Sequence, residues 1–144
     1  MRKLILYILL PFVLYSHTYQ DSYWFERLDL DNSQIDEVVY CIAQDSIGYM
    51  WFGTKSGLYK YDGKKRVHFR KTGRSEGLND NRIFNLHVDN DGTLWVLTLN
   101  SLEKYNPSSN TFTDILSFSD DETYKLISGD KDGTIILASY YGKM

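Results

Sequence analysis

The sequence has little cysteine and little histidine, and both shortages exclude classes of site. Cys41 is the single cysteine among 144 residues, so no disulfide can form within the chain. It lies in an apolar stretch, where a buried thiol is more common than a nucleophile. His68 and His87 are far apart in the sequence and Cys41 is distant from both, so no zinc-ligand spacing exists. We predict no metal, no cofactor and no catalytic residue.

The chain also lacks an excess of positive charge. It carries 16 Lys and Arg against 19 Asp and Glu, which gives a formal net charge of −3 at pH 7. Its one basic cluster lies at residues 64–66. Nucleic acids and anionic membranes bind concentrated positive surfaces, so we expect neither as a partner.

A long hydrophobic run occurs once, at the N terminus. Arg2 and Lys3 precede an apolar run at residues 4–15, and the small residues Ser16 and Thr18 follow it. As a helix this run measures about 18 Å, less than the hydrocarbon core of a membrane at ~30 Å. We therefore predict a signal peptide at residues 1–19 and a periplasmic or secreted mature chain. An uncleaved membrane anchor is the alternative.

The sequence does contain an internal repeat. Residues 48–54 (GYMWFGT) return 44 positions later as residues 92–98 (GTLWVLT), and a weaker third copy around Asp130 and Gly133 follows after 41 positions. Periods of about 40–50 residues with aromatic and β-branched content are typical of one four-stranded blade per repeat, as in a β-propeller. No helical periodicity occurs after residue 20, so the predicted fold class is all-β.

The repeats predict blades at about residues 37–70, 81–116 and 123–144, the last with two of its four strands. Residues 25–28 match the outer strand of a blade, because Phe25 precedes Phe69 by the same 44 positions. We therefore predict a partial propeller over residues 20–144, with about two and a half four-stranded blades and an orphan N-terminal strand. A closed ring needs about 4–8 blades, so we expect further blades in a longer chain.

The residues that define the repeat are interpreted as structural, because a residue recurring in every blade packs blade against blade. Stacking of the aromatic ones on sugar rings is the alternative, and calcium binding by the Asp turns is disfavoured because an EF-hand register lacks its ligands. The repeat-defining residues are Asp45, Gly48, Trp51, Gly53, Gly57, Tyr61, Asp89, Gly92, Trp95, Tyr105, Asp130 and Gly133.

Residues off the repeat pattern are better ligand candidates, since function in repeat folds lies on variable loops. Lys55, Arg74, Asn100 and Tyr140 fit that description, but no spacing selects among them. One departure lies inside a strand: Leu97 replaces the glycine seen at Gly53, which indicates a relaxed repeat or a drifting gene.

Residues 25–28, 39–63 and 76–95 resemble the two-component regulator propeller repeat. The order of signal peptide, outer strand and first blade is similar to the start of the periplasmic sensor of bacterial hybrid two-component systems. The resemblance implies sensing rather than catalysis. Members carry two propellers, a β-sandwich, a membrane span and a histidine kinase, and many respond to oligosaccharides from dietary or host glycans. It further implies an oligosaccharide ligand and a homodimer in the full-length family.

The residues alone leave two other functions open. A propeller enzyme, such as a lyase or glycosidase, uses the same fold, as does a non-catalytic interaction scaffold. An enzyme would need acid and base groups that converge at the mouth of the ring. The sequence shows no such groups at positions that break the repeat.

Overall fold

The computed structural model of the 144-residue chain describes residues 38–73, 77–119 and 121–139. The predicted signal peptide and the orphan strand at residues 25–28 lie outside these ranges. So do the ligand candidates Arg74 and Tyr140.

The described residues form ten antiparallel strands in three sheets. Sheet 1 has the order β1-β2-β3-β4, sheet 2 has the order β5-β6-β7-β8, and sheet 3 consists of β9 and β10. The predicted all-β partial propeller is confirmed. The strands are β1 (Val39–Gln44), β2 (Met50–Thr54), β3 (Leu58–Tyr61), β4 (Arg66–Phe69), β5 (Ile83–Val88), β6 (Leu94–Thr98), β7 (Ser101–Asn106), β8 (Thr111–Ser117), β9 (Tyr124–Gly129) and β10 (Ile135–Ser139).

The turn between the first two strands of each sheet is held by an aspartate. In sheet 1 the Asp45 carboxylate accepts hydrogen bonds from the backbone N–H groups of Gly48 and Tyr49, at 3.0 and 2.9 Å. Gly48 has a φ of 101°, a left-handed conformation that glycine adopts without strain. The Asp side chain therefore stabilises the turn that contains it, and the Gly provides the left-handed backbone conformation. This explains why Asp and Gly recur in each repeat.

Successive sheets pack through their innermost strands, β1 against β5 and β5 against β9. Between sheets 1 and 2 lies the larger core, where the Trp51 ring meets Tyr105 edge-on at 4.8 Å and Phe69 meets Phe112 at 5.3 Å. We call this contact the first interface. Its buried residues are Trp51, Leu58, Leu78, Ile83, Leu86, Leu94, Val96, Tyr105 and Phe112.

The second interface, between sheets 2 and 3, has a smaller core of Leu97, Leu102 and Ile127. Leu97 is fully buried there (0% exposed). It is therefore a core residue of the second interface, at a position where sheet 1 has Gly53. At the first interface the equivalent residue is Gly53, whose lack of a side chain lets sheet 2 approach closely. An added Cβ would lie 2.7 Å from Ile83 Cγ2 and would overlap Cys41 Sγ.

Strand β1 departs from its prediction. Its apolar sequence predicts burial on both faces, yet Ile42 is 58% exposed, whereas Leu86 at the equivalent position of β5 is 7% exposed. Leu86 packs against sheet 1. No other described sheet packs on the corresponding face of β1, which accounts for the difference.

Candidate functional site

Each innermost strand carries one extra residue near its start. In β1, Val39 pairs with Thr54 and Cys41 with Gly53, so Tyr40 is left without a partner in the ladder. The same break in register leaves out Phe84 in β5 and Lys125 in β9. Such β-bulges redirect a side chain away from the regular face of the sheet and are common beside binding sites.

The three bulge residues line a single opening, which we call the inner-strand opening. It has a volume of about 610 Å³, and its other lining residues are Lys55, from the β2–β3 connection, and Arg82, just before β5. Small-ligand sites commonly occupy roughly 300–1,000 Å³. The three described sheets therefore converge on a space large enough for a small ligand.

The chemistry of the opening is aromatic and positive. Tyr40 is 46% exposed, and Lys125 Nζ lies 5.6 Å from the centroid of the Phe84 ring. Lys55 and Arg82 are exposed. Among the described residues that line the opening, three carry positive charge and none is acidic.

The backbone around the opening is fixed by hydrogen bonds. Arg82 N donates to Asp80 Oδ1 at 2.8 Å, and the Arg82 carbonyl accepts from Leu99 N at 3.1 Å. Between sheets, Asn85 Nδ2 donates to the Lys125 carbonyl at 3.4 Å. The lining positions are therefore attached to ordered strands and to a neighbouring sheet.

The repeat-defining residues lie within and between the sheets. Trp51 Nε1 donates to Asp45 Oδ2 at 2.9 Å, and Trp95 Nε1 donates to Asp89 Oδ2 at 2.8 Å. Asp130 accepts from Thr134 N at 2.9 Å. These carboxylates are thus engaged by the groups of their own turns.

The other repeat-defining positions occupy turns and strands. Gly57, Gly92 and Gly133 have positive φ angles of 139°, 83° and 83°. Tyr61 is half-buried and pairs with Met50. Within the described ranges, no three His, Cys, Asp or Glu side chains are grouped so as to hold a metal ion.

One of the four predicted ligand candidates lines the opening. Lys55 does so, whereas Asn100 donates from Nδ2 to Asp80 Oδ2 at 3.3 Å and is not among the lining residues. Sequence reasoning missed Tyr40, Arg82, Phe84 and Lys125. Alignment of the three repeats could have pointed to three of them, because positions 40, 84 and 125 are equivalent and hold two aromatic residues and one lysine.

A second cavity of about 400 Å³ lies at the opposite end of the strands, beside the turns that contain Ser46 and Gly92. Its lining includes both Lys104 and Tyr105, neighbours in β7 that point to opposite faces of sheet 2. Lys60, also in the lining, sits 3.9 Å from the Tyr49 ring centroid and donates to Tyr105 Oη at 3.4 Å. Lys60 thus links sheets 1 and 2 beside this cavity.

Cys41 has no reactive character. Burial raises the pKa of its thiol to about 12, and the hydrogen bond with Gly53 opposes this only in part. At neutral pH the thiol stays protonated, and a protonated thiol is a poor nucleophile.

Three sheets joined through their innermost strands, with an opening where those strands begin, define a partial β-propeller. In the part of the chain that the structure describes, no helix has the length and apolar character needed to cross a membrane.

Comparison with solved structures gives the same fold. The extracellular domain of BT3049 from B. thetaiotaomicron, described as a hybrid two component system, matches with a TM-score of 0.66 at 20% identity, over 81% of this chain and 18% of that one. The extracellular domain of BT4673 from the same organism, also described as a hybrid two component system, matches with a TM-score of 0.59 at 24% identity, over 72% of this chain and 15% of that one.

A further BT4673 structure, described as the extracellular domain of a one component system, has a TM-score of 0.53 at 17% identity, over 78% of this chain and 24% of that one. At these identities the likeness establishes the fold. The chain spans between 15% and 24% of the length of the three structures. All three are described as extracellular domains of signalling systems, not as enzymes.

Two segments of the chain, residues 33–56 and 77–100, match the family described as the two component regulator propeller. Both segments lie in the repeats found in the sequence, and the resemblance recognised there is confirmed. No protein of curated function matches the chain.

Proposed function

We propose that this chain is part of an extracytoplasmic propeller that senses an oligosaccharide for a two-component regulatory system. The similar structures are extracellular domains of such systems, and the predicted signal peptide supports export to the periplasm or beyond. The observation that carries the proposal is the inner-strand opening, where three sheets present bulged side chains to one space.

Aromatic rings support a sugar ligand in particular. Tyr40 and Phe84 occupy equivalent bulges of neighbouring sheets, and both line the opening. Flat, partly exposed rings offer an apolar surface for the C–H face of a pyranose, while the Tyr hydroxyl adds a hydrogen-bonding group. The ligand would then contact two sheets at once, so its binding couples their positions.

The test is ligand-induced stabilisation of the full 144-residue chain. A panel of neutral and acidic oligosaccharides is screened by thermal unfolding, and at a concentration about ten times its Kd a ligand should raise the melting temperature by about 4 °C. Tyr40→Ala should remove the shift. Ile47→Ala is the matched control, because Ile47 is 74% exposed at the opposite end of β1 and should leave the shift intact. A panel without any shift would contradict the proposal.

A further inference from the structure

Three positive side chains meet at the inner-strand opening although the repeat does not require any of them. Lys55 corresponds to Leu99 in sheet 2, and Arg82 corresponds to Val38 and Thr123. Lys125 corresponds to the two aromatic bulge residues, Tyr40 and Phe84. Each sheet therefore contributes one cation, and each does so at a position where another sheet has an uncharged residue. Packing of the repeat does not explain this convergence.

The local charge is opposite to that of the whole chain. The formal net charge is −3, yet the described residues around the opening are Lys55, Arg82 and Lys125 with two aromatic rings. A surface of this kind attracts anions, and the electrostatic attraction raises their local concentration. A neutral ligand would make no use of the charge.

We propose that the opening binds an acidic oligosaccharide, one whose sugars bear carboxylate or sulfate groups. This inference rests on the proposed function and specifies its ligand. The Tyr40 and Phe84 rings hold the sugar faces, and Lys55 and Arg82 hold the anionic groups. The planar guanidinium of Arg82 can donate two parallel hydrogen bonds to a carboxylate or a sulfate. Lys125, which lies over the Phe84 ring, adds positive charge beside the sugar.

Three tetrasaccharides that differ in the group at carbon 6 of each sugar test the charge requirement. They are a tetramer of galactose, a tetramer of galacturonic acid, and a tetramer of galactose 6-sulfate, each titrated into the full chain by calorimetry. We expect one or both acidic tetramers to bind at least about tenfold more tightly than the neutral one. The preference should shrink to about threefold or less when NaCl rises from about 0.05 to 0.5 M, because salt screens exposed charges.

Charge-removing variants locate the interaction. Lys55→Gln and Arg82→Gln should each weaken binding of the acidic tetramer by about fivefold and leave the neutral one unchanged. Lys64→Gln is the matched control, since this exposed lysine lies in the β3–β4 turn at the opposite end of the sheet. Both substituted residues of the site are exposed, so the unfolding midpoints should match that of the unchanged chain.

The outcomes separate this inference from the proposed function. Equal affinity for the neutral and acidic tetramers overturns the charge requirement and leaves an oligosaccharide sensor standing. Loss of binding in Lys64→Gln as large as in Arg82→Gln overturns the location. Equal binding of a tetra-aspartate peptide overturns the sugar ligand, and absence of binding by all three tetramers overturns the inference.

Discussion

The two interfaces of this molecule contain the same unit in different surroundings. Trp51 and Trp95 each donate their indole N–H to an aspartate six residues earlier, and each lies near a lysine of the third strand, Lys60 at 5.2 Å and Lys104 at 5.7 Å. Trp51 is nevertheless fully buried and Trp95 is half-buried. The Asp–Trp unit is thus formed within one sheet, and burial of the indole depends on the neighbouring sheet.

Different side chains of the neighbouring sheet pack at the first and at the second interface. At the first interface, Tyr105 of β7 lies against Trp51, whereas the described part of sheet 3 ends at its second strand. At the second interface the core is formed instead by Leu97 of β6 packed against Ile127 of β9. One sheet scaffold therefore supports two kinds of core, one built around an aromatic residue and one around a leucine.

The largest difference between the interfaces should be seen on truncating the tryptophans. Trp51→Ala should lower the free energy of unfolding by about 4 kcal/mol, because it leaves a large cavity and an unused acceptor on Asp45. Trp95→Ala should cost about half as much, since part of that ring is already exposed. Urea unfolding of both variants measures the difference, and equal losses would contradict the comparison.

Substitution by alanine should destabilise the two equivalent positions for opposite reasons, by leaving a cavity at Leu97 and by overpacking at Gly53. Leu97→Ala should lower the free energy of unfolding by about 3 kcal/mol through a cavity. Gly53→Ala should lower it by about 2 kcal/mol through overlap with Cys41 and Ile83. The double variant Gly53→Ala/Ile83→Ala tests the cause: relief of the overlap should make the two losses less than additive. Full additivity would show that Ile83 is not the source of the crowding.

A smaller effect should distinguish the aspartates of the turns. In Asp45→Asn, either the backbone N–H groups or the Trp51 indole faces an amide NH₂, so about 2 kcal/mol of stability should be lost. Asp130→Asn is the matched control, because Ile136 stands where the tryptophans stand and donates no hydrogen bond. Its loss in urea unfolding should be about 1 kcal/mol. A reversed order would show that the indole bond contributes little.

The smallest effect concerns Glu103, a buried carboxyl (1% exposed) in sheet 2 where sheet 1 has Tyr59. Burial raises the pKa of Glu103, and hydrogen bonds from Ser101 and Asn79 oppose the rise. A pKa above that of the unfolded chain means that the native state takes up the proton. The stability that this group contributes is therefore present at acid pH and is lost as the pH rises through the folded-state pKa.

Glu103→Gln should remove that pH dependence. The amide oxygen can still accept from Ser101 Oγ and Asn79 N, while the buried charge is gone. We expect the free energy of unfolding of the variant, relative to that of the unchanged chain, to rise as the pH increases from about 4 to 7, read from urea unfolding at several pH values. A relative loss over that range would show that the charge itself stabilises sheet 2.

The strands were predicted well from the sequence because each copy of the 44-residue repeat contains Asp and Gly residues that mark its turns. The four strands of sheet 1 lie within the blade predicted at residues 37–70, and the Asp and Gly residues of the turns determine where β2 and β6 begin. These features are local, since each is set by hydrogen bonds within a few residues. The third blade, predicted at residues 123–144, is described as far as residue 139.

The site could not be predicted in the same way. Tyr40 and Phe84 look like ordinary strand residues, and only the pairing of β1 with β2 and of β5 with β6 shows that they are bulged. The exposure of Ile42 and the burial of Leu97 likewise depend on which sheet lies opposite. Sequence periodicity gives the face of a strand, but the neighbour of that face is a tertiary property.

The bulged positions bear on how such proteins diverge. Because Tyr40, Phe84 and Lys125 stand outside the ladder, a substitution at any of them changes the lining of the inner-strand opening and leaves the pairing of neighbouring residues unchanged. The shape and charge of the opening can thus vary by point mutation, one sheet at a time, while the sheets themselves are kept.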